Sequence, residues 1–164
     1  MPETEGMKED IAIEEAVEPS TQYCTFRFEN ELYGIEIDQI QEIINLQKVF
    51  PVPRAPNYIM GVINLRGNIV PVIDIKPILK LPMWKQDINS SIVLINADSN
   101  MIIGIVVDEI GDVVLLTGSK IEPLDIKKDD ERSKYLTGIS KLTDKVLVIL
   151  DARRIIDDTK LAAA

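Results

Sequence analysis

Residues 34–43 are written again at 104–113, and a chain that repeats itself in this way is constrained to fold as two like units. Gly34-Ile35-Glu36-Ile37-Asp38-Gln39-Ile40-Gln41-Glu42-Ile43 matches Gly104-Ile105-Val106-Val107-Asp108-Glu109-Ile110-Gly111-Asp112-Val113 in residue or type at nearly every place, at a spacing of 70. A second echo is spaced by 77. Tyr58-Ile59-Met60-Gly61-Val62-Ile63-Asn64-Leu65, continuing through Ile69-Val70-Pro71-Val72-Ile73-Asp74, returns as Tyr135-Leu136-Thr137-Gly138-Ile139-Ser140-Lys141-Leu142 and Val146-Leu147-Val148-Ile149-Leu150-Asp151. The spacing grows by seven between the echoes, so the second copy holds the longer connection, and the polar run Lys127 to Lys134 is the natural insert. Two similar, interleaved subdomains are expected, from copies at about 21–80 and 88–151.

Strands dominate both copies. Residues 23–28 and 32–37 alternate around Glu29-Asn30-Glu31, and 91–96 and 101–107 around Ala97-Asp98-Ser99-Asn100, as half-buried hairpins require. Their Val, Ile and Leu content suits a pleated surface better than a helix. Short helices are predicted near 38–43, near 56–60 after Pro51, Pro53 and Pro56, and over 152–158 behind Asp151 as N-cap. Leu81 to Asp87, with Trp84, reads as the connection between copies. In the hairpin at 61–74, Gly67-Asn68 predicts a two-residue turn. Arg66 then faces Ile69, Leu65 pairs with Val70, and Ile63 pairs with Val72. One face is wholly apolar; the other mixes Val62, Asn64, Arg66, Ile69, Pro71 and Ile73, which fits either a partner surface or a solvated tip beside a second core.

Composition removes most other functions. No apolar run approaches the ~18 residues that cross a bilayer, and the acidic start is unlike a signal peptide, so a cytoplasmic protein is expected. Residues 1–20 carry −6 of the net −9, which predicts a solvated, disordered tail, with another short tail at 159–164. Nothing basic is concentrated enough to follow phosphates, so no nucleic-acid partner is expected. Lone Cys24 alternates with Phe26 and Phe28 as a small buried hydrophobe. The absence of histidine takes away the commonest general base and metal ligand. Glu36, Asp38 and Glu42 alternate with aliphatics as a solvated face would, Asp74 and Asp151 suit turns or caps, and no glycine lies in a phosphate-loop setting. No catalytic residue, metal or cofactor is expected.

At Gly61-Val62-Ile63-Asn64-Leu65-Arg66-Gly67 and Ile69 to Asp74 the chain resembles the CheW family of chemotaxis coupling proteins. The likeness runs from about 21 to 158 and includes Tyr33-Gly34-Ile35, Gln41-Glu42-Ile43, Gly104 to Asp108 and Tyr135 to Gly138. The resemblance implies an all-β fold, two five-stranded SH3-like β-barrels packed together, with short helices including one at the C-terminus. It also implies a non-enzymatic adaptor, monomeric in isolation, between the cytoplasmic tip of chemoreceptors and the regulatory domain of the histidine kinase CheA. Recruitment would be to receptor arrays at the inner face of the membrane.

The family's receptor contact carries over to Ile40, Glu42 and Arg66, and other coupling positions to Ile92, Gly104 and Val113, with Gly67 and Asn68 as the structural turn. The second copy departs from the first there, with Thr143-Asp144-Lys145 in place of Arg66-Gly67-Asn68 and Val148 in place of Pro71. Receptor recognition is therefore expected on the first copy. Alternatives are a CheW-like portion of CheA or CheV, against which the complete two-copy pattern argues, and a barrel that encloses a small molecule.

Overall fold

The structure, a computed structural model, describes residues 19–81, 89–97, 100–124 and 131–159. The acidic tail to residue 18, the connection at 82–88 with Trp84, the insert at 127–130 and the closing residues 160–164 lie outside these. The strands are β1 (Ser20–Phe28), β2 (Glu31–Glu36), β3 (Ile40–Asn45), β4 (Ile59–Leu65), β5 (Asn68–Ile73), β6 (Ser91–Asn96), β7 (Ile102–Val107), β8 (Glu109–Thr117), β9 (Leu136–Lys141) and β10 (Val146–Leu150). An α-helix, α1 (Ala152–Thr159), follows β10.

Hydrogen bonds sort the strands into two five-stranded sheets, ordered β8-β1-β2-β10-β9 (barrel one) and β3-β6-β7-β5-β4 (barrel two). β1 to β5 correspond in sequence to β6 to β10, so each sheet takes the first two strands of one copy and the last three of the other. Each opening hairpin is antiparallel. It joins the other copy through a parallel pair, β2 with β10 and β7 with β5. Phe50 and Val62 exchange backbone hydrogen bonds of 2.8 and 2.9 Å, and Glu122 and Ile139 exchange bonds of 2.7 and 2.8 Å. Each exchange ties the chain beyond a copy's third strand to its fourth, which closes that sheet into a barrel. Glycine is required at both crossings: a Cβ on Gly61 would stand 2.1 Å from the Phe50 carbonyl oxygen, and one on Gly138 2.7 Å from that of Glu122. Likewise Asp74 N–H donates to Tyr58 O at 2.7 Å and Asp151 N–H to Tyr135 O at 2.8 Å. The sequence repeat is therefore also a repeat of hydrogen bonds.

The largest apolar cluster belongs to neither barrel alone. It joins Phe26, Phe28, Tyr33 and Ile35 of barrel one to Ile73, Val93, Ile95, Ile103 and Ile105 of barrel two, with Ile155 and Ile156 of α1 sealing it. Smaller clusters fill each barrel, Ile63, Val70, Val72, Ile92, Leu94 and Val106 in barrel two and Tyr23, Leu116, Leu147 and Ile149 in barrel one. Cys24 is buried, as expected of a small hydrophobe.

Three local expectations are corrected. Near 38–43 only the start is helical: one 3-10 turn at Ile37–Gln39 leads directly into β3. Ile40, Ile43 and Ile44 imitate helical spacing only because Ile43 is an exposed aliphatic; burial along β3 alternates by two, with Ile40, Glu42 and Ile44 half-buried, through a bulge between Ile40 and Glu42. No helix forms at 56–60, where the prolines hold the chain in turns until β4. The hairpin turn is Arg66-Gly67 rather than Gly67-Asn68, with φ of 51° and 86°, the two positive values that a type I′ turn demands. Leu65 consequently faces Asn68, Asn64 faces Ile69 and Ile63 faces Val70. From Gly61 to Leu65 each β4 residue meets a β5 residue two places earlier than predicted. A slip of two keeps every side chain on its predicted face, so Ile63, Val70 and Val72 are buried while Asn64 and Ile69 are exposed. Behind Asp151, α1 forms where predicted, and Arg154 N–H donates to the Asp151 carboxylate at 3.1 Å.

Candidate functional site

Barrel two brings Glu42 and Arg66 together across its seam. They stand on β3 and on the turn after β4, strands at opposite ends of the sheet order, so only the curling of the sheet makes them neighbours. Arg66 Nη1 and Nη2 donate to Glu42 Oε1 and Oε2 at 2.8 and 2.9 Å, a bidentate fork. The turn that presents Arg66 is held by Gly67 N–H, which donates to Asn64 Oδ1 at 2.9 Å. The arginine hydrogen bonds hold the Glu42 carboxyl below the usual carboxylate range, and the same bonds push the guanidinium up. The side chains remain 69% and 32% exposed, so the pair lies within a partner's reach.

Exposed aliphatics lie in the same barrel, Ile69 at 66% and Ile43 at 41%. Phe50 and Val52 are exposed as well, with Lys48 Nζ 5.0 Å from the Phe50 ring centre. The sequence reading passed over these last two; the signal was a lone aromatic in a proline-flanked stretch that has no reason to be buried. Ile40 is half-buried and packs against the shared core, which leaves less of its side chain to offer than a free anchor would. Ile92 and Gly104 are together but inside: a Cβ on Gly104 would stand 2.7 Å from Ile92 Cγ2, and Ile92 is fully buried. Val113 is on β8 of barrel one, exposed beside Leu115. The six expected positions thus divide into an exposed pair with a half-buried neighbour, two core residues, and one on the other barrel.

A separate cleft of about 500 Å³ is lined by Arg27, Asn30, Glu31, Leu32, Lys145 and Val146 among others. Lys145 and Val146 are the second copy's counterparts of Asn68 and Ile69. Among the described residues no group of three or more His, Cys, Asp or Glu could hold a metal ion. No helix among them is long and apolar enough to cross a membrane.

The profile of the CheW-like domain family matches residues 22–160. The chain is 36% identical over 134 residues to chemotaxis protein CheW of Bacillus subtilis, covering 80% of this chain and 84% of that one. It is 33% identical over 141 residues to the CheW of Klebsiella aerogenes, covering 86% and 84%. Its fold matches the crystal structure of the scaffolding protein TtCheW from Thermoanaerobacter tengcongensis with a TM-score of 0.73 at 27% identity, over 84% of this chain and 88% of that one. The two closed five-stranded sheets are accordingly the two SH3-like barrels of that fold.

Proposed function

Since the chain belongs to the CheW-like domain family, we propose that it is a non-enzymatic adaptor coupling chemoreceptors to the histidine kinase CheA in bacterial chemotaxis. It would work in the cytoplasm, at receptor arrays on the inner face of the membrane. The observation that carries the reading is the Glu42–Arg66 pair, an exposed bidentate fork in a barrel that also exposes Ile43 and Ile69. A receptor helix with an apolar seam and flanking charges finds there both burial and exchangeable hydrogen bonds. Glu42 and Arg66 supply the polar contact and Ile40 a half-buried wall. Ile92 and Gly104 act from within, by setting how closely β6 and β7 pack, while Val113 belongs to a second surface on barrel one.

Titration of the full chain with a purified CheA regulatory domain, and separately with a receptor cytoplasmic-tip fragment, tests this. Saturable binding to each is expected, unchanged after dialysis against a chelator. Absence of binding to both in a folded sample sinks the proposal.

A further inference from the structure

A largely buried ion pair lies where the two barrels join, with the Asp108 side chain 17% exposed. Lys76, just past β5 of barrel two, has a side chain only 3% exposed, and its Nζ donates to both oxygens of Asp108 at 2.9 and 3.1 Å. Asp108 is the residue between β7 of barrel two and β8 of barrel one. Its Oδ2 also accepts Glu29 N–H at 2.6 Å, and its own N–H donates to Arg27 O at 3.1 Å, so it grips the β1–β2 turn of barrel one. Lys76 is gripped in turn: its N–H donates to Asp74 Oδ1 at 3.0 Å, and its Nζ stands 5.5 Å from the ring centre of Phe28 in the shared core.

The repeat shows that the fold does not need this burial. The counterparts of Asp108 and Lys76 at the other junction are Asp38 and Arg153, which keep the charges but are both exposed. A buried pair is a poor net stabiliser compared with apolar residues of the same volume, yet a displaced one leaves uncompensated charges. Packed elements can shear by small slides when apolar contacts alone join them, whereas a short, multiply bonded ion pair resists such a slide. A cavity of about 230 Å³ lined by Phe28, Glu29, Asn30, Glu31, Lys76 and Leu81 adjoins the pair, which leaves room for such a slide.

We infer that Lys76 and Asp108 are positioning residues that lock the two barrels at a single relative angle. On the adaptor reading above, on which this half of the inference rests, that angle sets how a receptor held on barrel two is presented to the kinase.

The test uses the full chain with spin labels at Asn68→Cys and Thr143→Cys, exposed tips of the two late hairpins, with buried Cys24 left in place. Distances between the labels are measured in the parent, in Lys76→Met and in Asp108→Asn, the last of which keeps an acceptor for Glu29 N–H. The parent should show one narrow distance peak, and each variant a peak at least about twofold broader, with circular dichroism unchanged. In reconstituted arrays the variants should lose about tenfold in receptor-stimulated kinase activity while each binary affinity stays within about twofold.

Unchanged distances in folded variants overturn the lock. If Lys76→Met does not fold, Asp108→Asn decides alone; collapse of both assigns the pair to holding the fold and overturns the inference. Unchanged activity, or affinity lost in step with it, removes the positioning role. A parent chain that binds neither partner fails the adaptor reading, and the distance measurement still decides the lock.

Discussion

At the scale of the residue, Arg66 combines a left-handed turn conformation at φ 51° with a guanidinium bound at both terminal nitrogens. No packing depends on it, so Arg66→Glu should fold, as a melting curve close to the parent's would show. Two carboxylates then face each other where a fork stood. Receptor affinity should fall by at least about tenfold while CheA affinity stays near the parent's. Unchanged receptor affinity would remove Arg66 from the contact. Glu42 offers a second readout, because its carboxyl is held low chiefly by the Arg66 hydrogen bonds. A depressed carboxylate adds stability above its unfolded-state pKa and loses it as pH falls through the folded value. The pair should therefore persist at neutral pH and open only in acid. In Arg66→Ala the Glu42 titration midpoint, followed by NMR, should rise toward the ordinary carboxylate value.

At the scale of the element, the β4–β5 hairpin contains two glycines with different tasks. Gly67 holds φ 86° in a turn where an added Cβ meets nothing within 4 Å, whereas Gly61 holds φ 147° with the Phe50 backbone against it. Gly67→Ala should cost about 1 kcal/mol, the strain of the left-handed conformation alone. Gly61→Ala adds a clash with a main chain that cannot step aside, and should cost more than about 3 kcal/mol or prevent folding. Urea unfolding of the pair checks the order; equal costs would mean that the crossing at Phe50 is looser than it stands here.

At the scale of the whole molecule, exchange of strands between copies decides how the chain can be divided. Residues 88–164 contain β6 and β7 of barrel two and β8, β9 and β10 of barrel one, so that fragment holds neither barrel complete. It should show no dispersed amide spectrum, and the intact chain should unfold in one cooperative transition, since the largest apolar cluster spans both barrels. A folded fragment, or two separate transitions, would mean that the shared core binds the halves less than its composition implies.

What the sequence by itself determined was local or periodic. Alternation within 23–37 and 91–107 marked the hairpins, the echo at spacings of 70 and 77 marked the two-fold plan, and Asp151 marked the start of α1. The faces of β4 and β5 were legible despite a wrong turn, because the pleat repeats every two residues and the error was a slip of two. The family likeness was legible from the Asn64-Leu65-Arg66-Gly67 hairpin. Tertiary structure alone decided the rest. Periodicity says which way a side chain points and not which distant strand lies beside it, so although interleaved copies were expected, the strand order of the two exchanged sheets could not be read from the chain. Nor could the bulge at Gln41 or the exposure of Ile43, the aliphatic that made a strand look helical. Glu42 meets Arg66 across 24 residues, and Lys76 meets Asp108 across 32, because closing a barrel and packing two barrels set those distances. No local preference acts over such separations; the shared core does.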